Sequence, residues 1–338
     1  MLMAVRRAEY EDRALAQQSR GLVAGMQRHQ VVVYVAAIAL GVLLGWTVPG
    51  AGSGLEQAIN PVLGALLYVT FLQVPARELA HSLRDGRFLA ATLVVNFLVV
   101  PVVVAAIFAF LPDDRAIQVG VLLVLLTPCV DYVIVFSGLA GGSSQRLLAA
   151  TPLLLLVQML LLPLFLLIFL GPGLAEVVEV GPFLHAFLVL IVIPLALAWG
   201  TQAWAARQRA VTAVVEAFGT AMVPLMAVTL LVVVASQVPK LGGNVVRVAV
   251  VVPGYVVFLI AMAFAGLAVA RAFGLDTGPG RAVVFTGATR NSLVVLPLAL
   301  ALPDALGLAA AVVVTQTLVE VVGMVLYVRL VPELLPDR

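Results

Sequence analysis

The sequence predicts an all-α polytopic membrane protein of about ten transmembrane helices, folded as an inverted repeat of five plus five with two interrupted helices. Three observations carry that prediction. Of the 338 residues, 63% are hydrophobic and only 11% are charged, where a soluble domain carries roughly 45–50% apolar and about 25% charged residues. The apolar residues run on continuously for about twenty positions at a time, the length that crosses a hydrocarbon core, whereas a transmembrane β-barrel would alternate. Two of these runs are interrupted at matching places in the two halves of the chain.

Apolar stretches bounded by charge, Gly or Pro give ten spans, at 31–49, 59–75, 87–111, 116–139, 145–170, 181–205, 211–235, 245–271, 280–302 and 306–331. The second is short and is expected to tilt or to extend into the polar stretch after Pro75. The first five spans form one repeat, 31–170, and the last five a second, 181–331; an odd number of spans per repeat inverts one against the other. Basic residues set the orientation. With the N-terminus inside, only Arg115, Lys240 and Arg247 of the 19 basic residues fall outside, and Arg290 lies within span nine. Residues 1–30 are polar and basic with no small-residue cleavage site after the first span, and read as a cytoplasmic tail. Residues 332–338 read as a second one, placing both termini inside the cell membrane.

The loops are short, so no soluble domain is expected. No phosphate loop is present and Lys240 is the chain's one lysine, which argues against ATP-driven pumping by this chain. His29, His81 and His185 are dispersed and the single cysteine is Cys129, so neither a metal site nor a disulfide is implied. Clear intramembrane acids number only two, no histidine sits centrally, and the nucleophile-elbow motif is absent, so an enzyme is not expected. No cofactor and no nucleic-acid partner are implied; the expected partners are a small inorganic or organic solute, protons or ions, and the bilayer. The sequence does not fix the oligomeric state. A channel is the competing class, and saturable transport against a gradient separates the two.

Span four carries Thr127-Pro128-Cys129 near its middle, and proline there removes a backbone donor and clashes with the preceding turn. Span nine carries Thr286-Gly287-Ala288-Thr289-Arg290-Asn291-Ser292, small and polar residues that must face inward. Pro128 and Gly287 are the expected helix breaks. A glutamine follows on the next span of each half, Gln158 and Gln316, and with Asn96 and Thr315 these read as interhelical hydrogen bonders, lining of the substrate path being the alternative. Gly41 and Gly45 form a GxxxG packing motif in span one. Glu216 is expected at the membrane interface, in the opening turn of span seven.

These residues resemble the bile acid/sodium symporter superfamily, and within it the arsenite-permease (arsenical resistance) branch. The resemblance covers nearly the whole chain and rests on TPCVDYVIVFSGLAGG in span four, TGATRNSLVVLPLAL in span nine and TLVEVVGMVLYVRLVP in span ten. It implies a core domain with two crossing broken helices beside a moving panel domain. It also implies a functional cysteine in span four, matched by Cys129, and a functional acid in span ten, matched by Glu320. Where sodium-coupled relatives carry an acidic residue and a glutamine, this chain has Thr286 and Arg290, a loss of an anionic ligand and a gain of a fixed cation that argue against that sodium site. Many arsenite permeases also have an acidic residue just after the span-nine asparagine, where this chain reads Ser292-Leu293-Val294, and Asp131 is an addition to their pattern.

Cys129 has two readings, a small buried filler or a soft thiolate ligand for trivalent arsenic or antimony. A mid-span arginine costs at least about 2.5–3.5 kcal/mol on insertion scales, so Arg290 must face inward with a partner. It is either a structural ion pair or a fixed charge in the role that sodium plays in relatives. Asp131 or Glu320 is the expected partner, and one of the two is expected to exchange protons, a static buried pair being the alternative. Thr127, Cys129, Arg290, Asn291 and Ser292 are the expected substrate contacts. The resemblance implies secondary active efflux of arsenite, with antimonite as a second substrate, driven by proton exchange or the membrane potential. Ion-coupled symport of organic anions is the rival.

Overall fold

The computed structural model describes residues 29–48, 50, 52–73, 85–130, 132–171, 188–208, 211, 215, 218–219, 221–241 and 245–337. Among them the chain is all helical. In order come α1 (Gln30–Thr47), α2 (Gly52–Leu72), α3 (Gly86–Val94), a π-turn (Val95–Val99) and α4 (Val100–Phe108). Next are α5 (Arg115–Leu125), α6 (Tyr132–Leu139), α7 (Ser144–Leu170), a second π-turn (Leu188–Val192), α8 (Ile193–Ala205) and α9 (Met222–Leu241). The series closes with α10 (Val245–Ala249), α11 (Val252–Ala272), α12 (Thr277–Ala288), α13 (Ser292–Leu300), a short 3₁₀ turn (Asp304–Leu306) and α14 (Leu308–Leu334).

Among the described residues, six helices are long and apolar enough to cross a membrane, Gly54–Leu72, Gly86–Phe108, Leu153–Leu170, Met222–Pro239, Val245–Ala272 and Leu308–Leu334. Shorter apolar helices, Val32–Thr47 and Arg115–Leu125, accompany them. Large apolar side chains such as Leu98, Val102, Leu160, Ile260 and Val322 stand exposed on the outer surface, which is stable only where the solvent is itself apolar.

Several expected boundaries move. Span two begins earlier than expected, at Gly52, because Pro61 is taken up inside the helix; the stretch after Pro75 lies outside the described residues. Span seven is described from Met222 and continues to Leu241 through Pro239; the expected interfacial Glu216 lies outside the described residues, as do the start of span six and the N-terminal tail to residue 28. The last helix continues through Pro332 to Leu334 and takes in the first residues expected as tail.

Helix packing explains the small residues. A Cβ on Gly41 would lie 3.0 Å from the Leu231 carbonyl oxygen, and one on Gly45 2.8 Å from that of Ala235, so the GxxxG face of α1 seats directly on the backbone of α9. Gly120 of α5 meets α14 in the same way, 2.9 Å from the Ala309 oxygen. Gly266 of α11 likewise meets Val284 of α12, and α14 packs on both α5 and α13, which holds the two interrupted spans face to face in the core.

Side-chain ties bind the helix ends. Arg281 donates to the carbonyls of Leu335 (2.8 Å) and Ala140 (3.1 Å) and pairs with Asp337. Arg146 pairs with Asp85. At other ends, Arg247 pairs with Asp114 at 2.5 Å.

Candidate functional site at the helix crossing

The helix α5 begins on an Asp114 cap, whose carboxylate accepts from the N–H groups of Ala116 and Ile117. It stops at Leu125 because Pro128 lacks a donor and pushes the residue before it out of the helical region. The second break has no proline. There α12 ends as Thr289 turns extended, at φ −85° and ψ 136°, and Asn291 restarts the chain as the cap of α13, its Oδ1 accepting from Val294 N–H at 3.1 Å. Gly287 is therefore not the break itself. It lies inside α12, where a Cβ would meet Val95 at 2.8 Å and Met262 at 3.1 Å, so it is a close-packing residue.

The two unwound segments lie antiparallel. Cys129 N–H donates to the Thr289 carbonyl at 3.2 Å and Asn291 N–H to the Thr127 carbonyl at 2.8 Å, with Pro128 opposite Arg290. This one bridge satisfies backbone groups that both breaks would otherwise leave bare in an apolar interior. The hydroxyls of Thr127 and Thr289 bond back to their own helices, at Leu123 and Phe285.

Arg290 is wholly buried. Its guanidinium donates to the carbonyls of Thr286 (2.6 Å), Gly287 (2.8 Å) and Leu125 (3.3 Å) and to Asn96 Oδ1 (2.8 Å). The carbonyls belong to the C-terminal ends of α12 and α5, where orphan carbonyls and the helix dipoles concentrate negative potential. One cation thus caps two helices. The Phe258 ring covers it, its centroid 5.6 Å from the guanidinium carbon. Asn96 sits in the first π-turn and also donates to the Thr92 carbonyl and Thr286 Oγ1. Arg290 Nε and Asn291 Nδ2 are buried donors without a partner among the described residues.

Glu320 of α14 is also fully buried. Its carboxylate accepts from the Tyr132 hydroxyl at 2.5 Å, from the backbone N–H of Arg290 at 2.8 Å, and from Gln316 one turn earlier. For Glu320 the expected guanidinium–carboxylate pair is thus replaced, and Asp131, the other expected partner, lies outside the described residues. Glu320 meets Arg290 through its amide while the guanidinium turns to the helix ends. A buried cation and anion still share one site, each with its own hydrogen bonds, the condition under which buried charges are tolerated. Ser292 accepts from Thr317 of α14 at 2.7 Å.

The crossing therefore brings together Thr127, Pro128, Cys129, Arg290, Asn291, Ser292, Gln316 and Glu320. Gln158 is buried on α7 with its Oε1 unpartnered, and it makes no hydrogen bond to this cluster among the described residues. Asp131 lies outside the described residues. Sequence reasoning missed Tyr132 and Phe258 as parts of the site. Tyr132 carries the one signal that was available, a hydroxyl within an apolar run immediately after a helix break.

A buried charged cluster where two interrupted helices cross, inside a multi-pass membrane fold, defines the class of secondary transporters. Within that class the chain belongs to the Sodium Bile acid symporter family, whose sequence profile matches residues 60–244, from α2 through the first break to just past α9. Members of the family are transporters, not enzymes. The match stops short of α12, Arg290 and Glu320, the part in which this chain carries its unusual charges. No curated protein matches the chain in sequence.

Proposed function

We propose that the protein is an arsenite efflux permease of the plasma membrane, with antimonite as a second substrate, driven by proton exchange or the membrane potential. The observation that carries this reading is the place of Cys129, pinned at the crossing through its N–H to Thr289, next to the Pro128–Arg290 bridge. A thiolate is the soft ligand that trivalent arsenic takes. One S–As bond forms as one hydroxyl of As(OH)₃ leaves as water with the thiol proton, and the single bond leaves the adduct exchangeable. The unpartnered N–H groups of Arg290 and Asn291 suit the remaining oxygens.

The proposed architecture is ten spans in an inverted five-plus-five repeat, 31–170 and 181–331, with core and panel domains and both termini cytoplasmic. The ties between helix ends support that alternation. Asp85–Arg146 and Arg281 with Ala140 and Leu335 each join ends assigned to the cytoplasmic face, and Asp114–Arg247 joins ends assigned to the outer one. Sodium coupling is disfavoured because the guanidinium of Arg290 already fills the carbonyl cluster.

The second reading, symport of organic anions, is favoured by the family match and by the same unpartnered donors, which would hold a carboxylate. The deciding experiment measures arsenite accumulation in cells lacking their own exporters, comparing the wild-type chain with Cys129→Ser at matched expression. Thiol-dependent lowering of accumulation is expected. No effect of either chain overturns arsenite efflux and leaves the organic-anion reading in front.

A further inference from the structure

Glu320 accepts three donors. Its Oε1 takes the Tyr132 hydroxyl, and its Oε2 takes Arg290 N–H and the Gln316 amide. That set suits an ionised carboxylate, an acceptor on both oxygens. A protonated carboxyl must in addition donate, and a buried O–H without an acceptor is costly.

The surroundings hold two acceptors in reserve. The Tyr132 hydroxyl lies 3.2 Å from the Arg290 carbonyl as well as beside Glu320. Turning its hydrogen to that carbonyl frees the phenol oxygen to accept from a protonated Oε1. Gln316 Oε1 is buried without a partner, and turning the amide over presents it to a protonated Oε2. Neither change breaks the bond between Arg290 N–H and Glu320 Oε2, which ties α14 to the crossing.

We propose that Tyr132 and Gln316 are positioning residues that let Glu320 gain or lose a proton without opening the crossing of the two broken helices. The inference rests on the reading of Glu320 as the exchanging carboxylate. One proton arrives from water, and either the hydroxyl hydrogen of Tyr132 turns from Glu320 to the Arg290 carbonyl or the Gln316 amide turns over where it stands, so the backbone of the crossing does not have to move. The site then changes by one unit of charge inside an unchanged frame, exposing the Arg290 cation to whatever occupies the crossing. The charged and titratable groups that face this pair among the described residues are Arg290 and Cys129 from the two breaks, Tyr132 from α6 and Tyr327 from α14 itself.

Infrared difference spectroscopy of the full chain in lipid, titrated with protons alone, tests this. The carboxylic C=O band lost in Glu320→Gln identifies the group. The Tyr132→Phe/Gln316→Met double variant is expected to move that band to the higher frequency of an acid without an acceptor. It should also move its pH midpoint up by about one to two units, the loss of charge-assisted donors. Gln316→Met alone keeps Tyr132 and is expected to shift the midpoint upward in the same direction with little change in frequency, so the test survives if the double variant does not fold. A wild-type band and midpoint in the variants overturn the positioning role. A wild-type protein with no titrating Glu320 band overturns the proton-exchange reading and the inference with it. A band that behaves as expected alongside absent arsenite transport leaves the inference standing and removes only the substrate.

Discussion

Replacing Arg290 with glutamine removes the cation that caps α5 and α12 and leaves the rest of the crossing in place. The wild-type guanidinium satisfies four buried oxygens, those of Leu125, Thr286, Gly287 and Asn96. A glutamine amide has one nitrogen in place of the two terminal nitrogens that make these bonds, so at least one of those oxygens loses its partner. At about 1–3 kcal/mol for each buried group left unpaired, the cost is at least about 1–3 kcal/mol, and Glu320 also loses its compensating charge, a change of about 3–5 kcal/mol in buried pairs. Against a total stability of about 5–15 kcal/mol, such a loss is large. Thermal unfolding in detergent or nanodiscs reads it directly, followed by the fluorescence of the chain's three tryptophans. The expected order is wild type, then Arg290→Lys, whose ammonium keeps the charge but offers three donors from one point, then Arg290→Gln. The wild type should melt at the same temperature in sodium and in choline. An Arg290→Gln protein as stable as wild type would refute the capping role, and a wild type stabilised by sodium would refute the claim that the guanidinium fills the cation's place.

Three further outcomes are expected. In Thr286→Glu/Arg290→Gln the carbonyl cluster is vacated and an anionic ligand supplied, so sodium should now raise the melting temperature of the double variant while leaving wild type unmoved. Gly45→Ala forces a Cβ to 2.8 Å from the Ala235 oxygen and should destabilise the α1–α9 contact by about 1–3 kcal/mol, read as a lowered melting temperature. Burial pushes the Asp114 carboxyl up, but its hydrogen bond and charge pairing with Arg247 and the N–H groups of Ile117 and Ala116 together hold it below the usual carboxylate range. A depressed group stabilises the fold above its unfolded value and loses that contribution as pH falls through its folded one. Asp114→Asn should therefore cost under about 1 kcal/mol at neutral pH, as a partly exposed pair, and nothing in acid, checked by melting at the two pH values.

The helices were legible because hydropathy and length are properties of single segments. The described helices start within a few residues of the predicted spans except at span two, where Pro61 lies inside the helix, and at spans six and seven, whose beginnings lie wholly or partly outside the described residues. The breaks were legible from Pro128 and from the polar run around Arg290. What could not be read was the partner of each polar group. That Glu320 would take an amide from Arg290 and not its guanidinium depends on the antiparallel register of two segments about 160 residues apart, at 3.2 Å from Cys129 to Thr289, and no spacing in the sequence encodes it. Gly287 was misread for a related reason. A glycine inside a polar run reads as a breaker, but here the need for it comes from Val95 and Met262 on other helices.

The antiparallel crossing has a physical consequence for how energy enters the transport cycle. Ending α5 and α12 at the same place brings two sets of orphan carbonyls together in an apolar interior, and that arrangement is stable only with a cation between them. A mobile ion in that position can be loaded on one side and released on the other, so its gradient does work. Arg290 supplies the same charge covalently and cannot be released to either side. A fixed charge stabilises every conformation that keeps the crossing and drives none of them. The driving step must then fall on a group at the crossing whose charge changes, or on the substrate. Glu320, the one carboxylate held there among the described residues, is hydrogen-bonded to the backbone of the second break and to the first residue of α6. Its protonation state is therefore felt at both interrupted helices at once, which is what a coupling site requires and what a carboxylate elsewhere on α14 would lack.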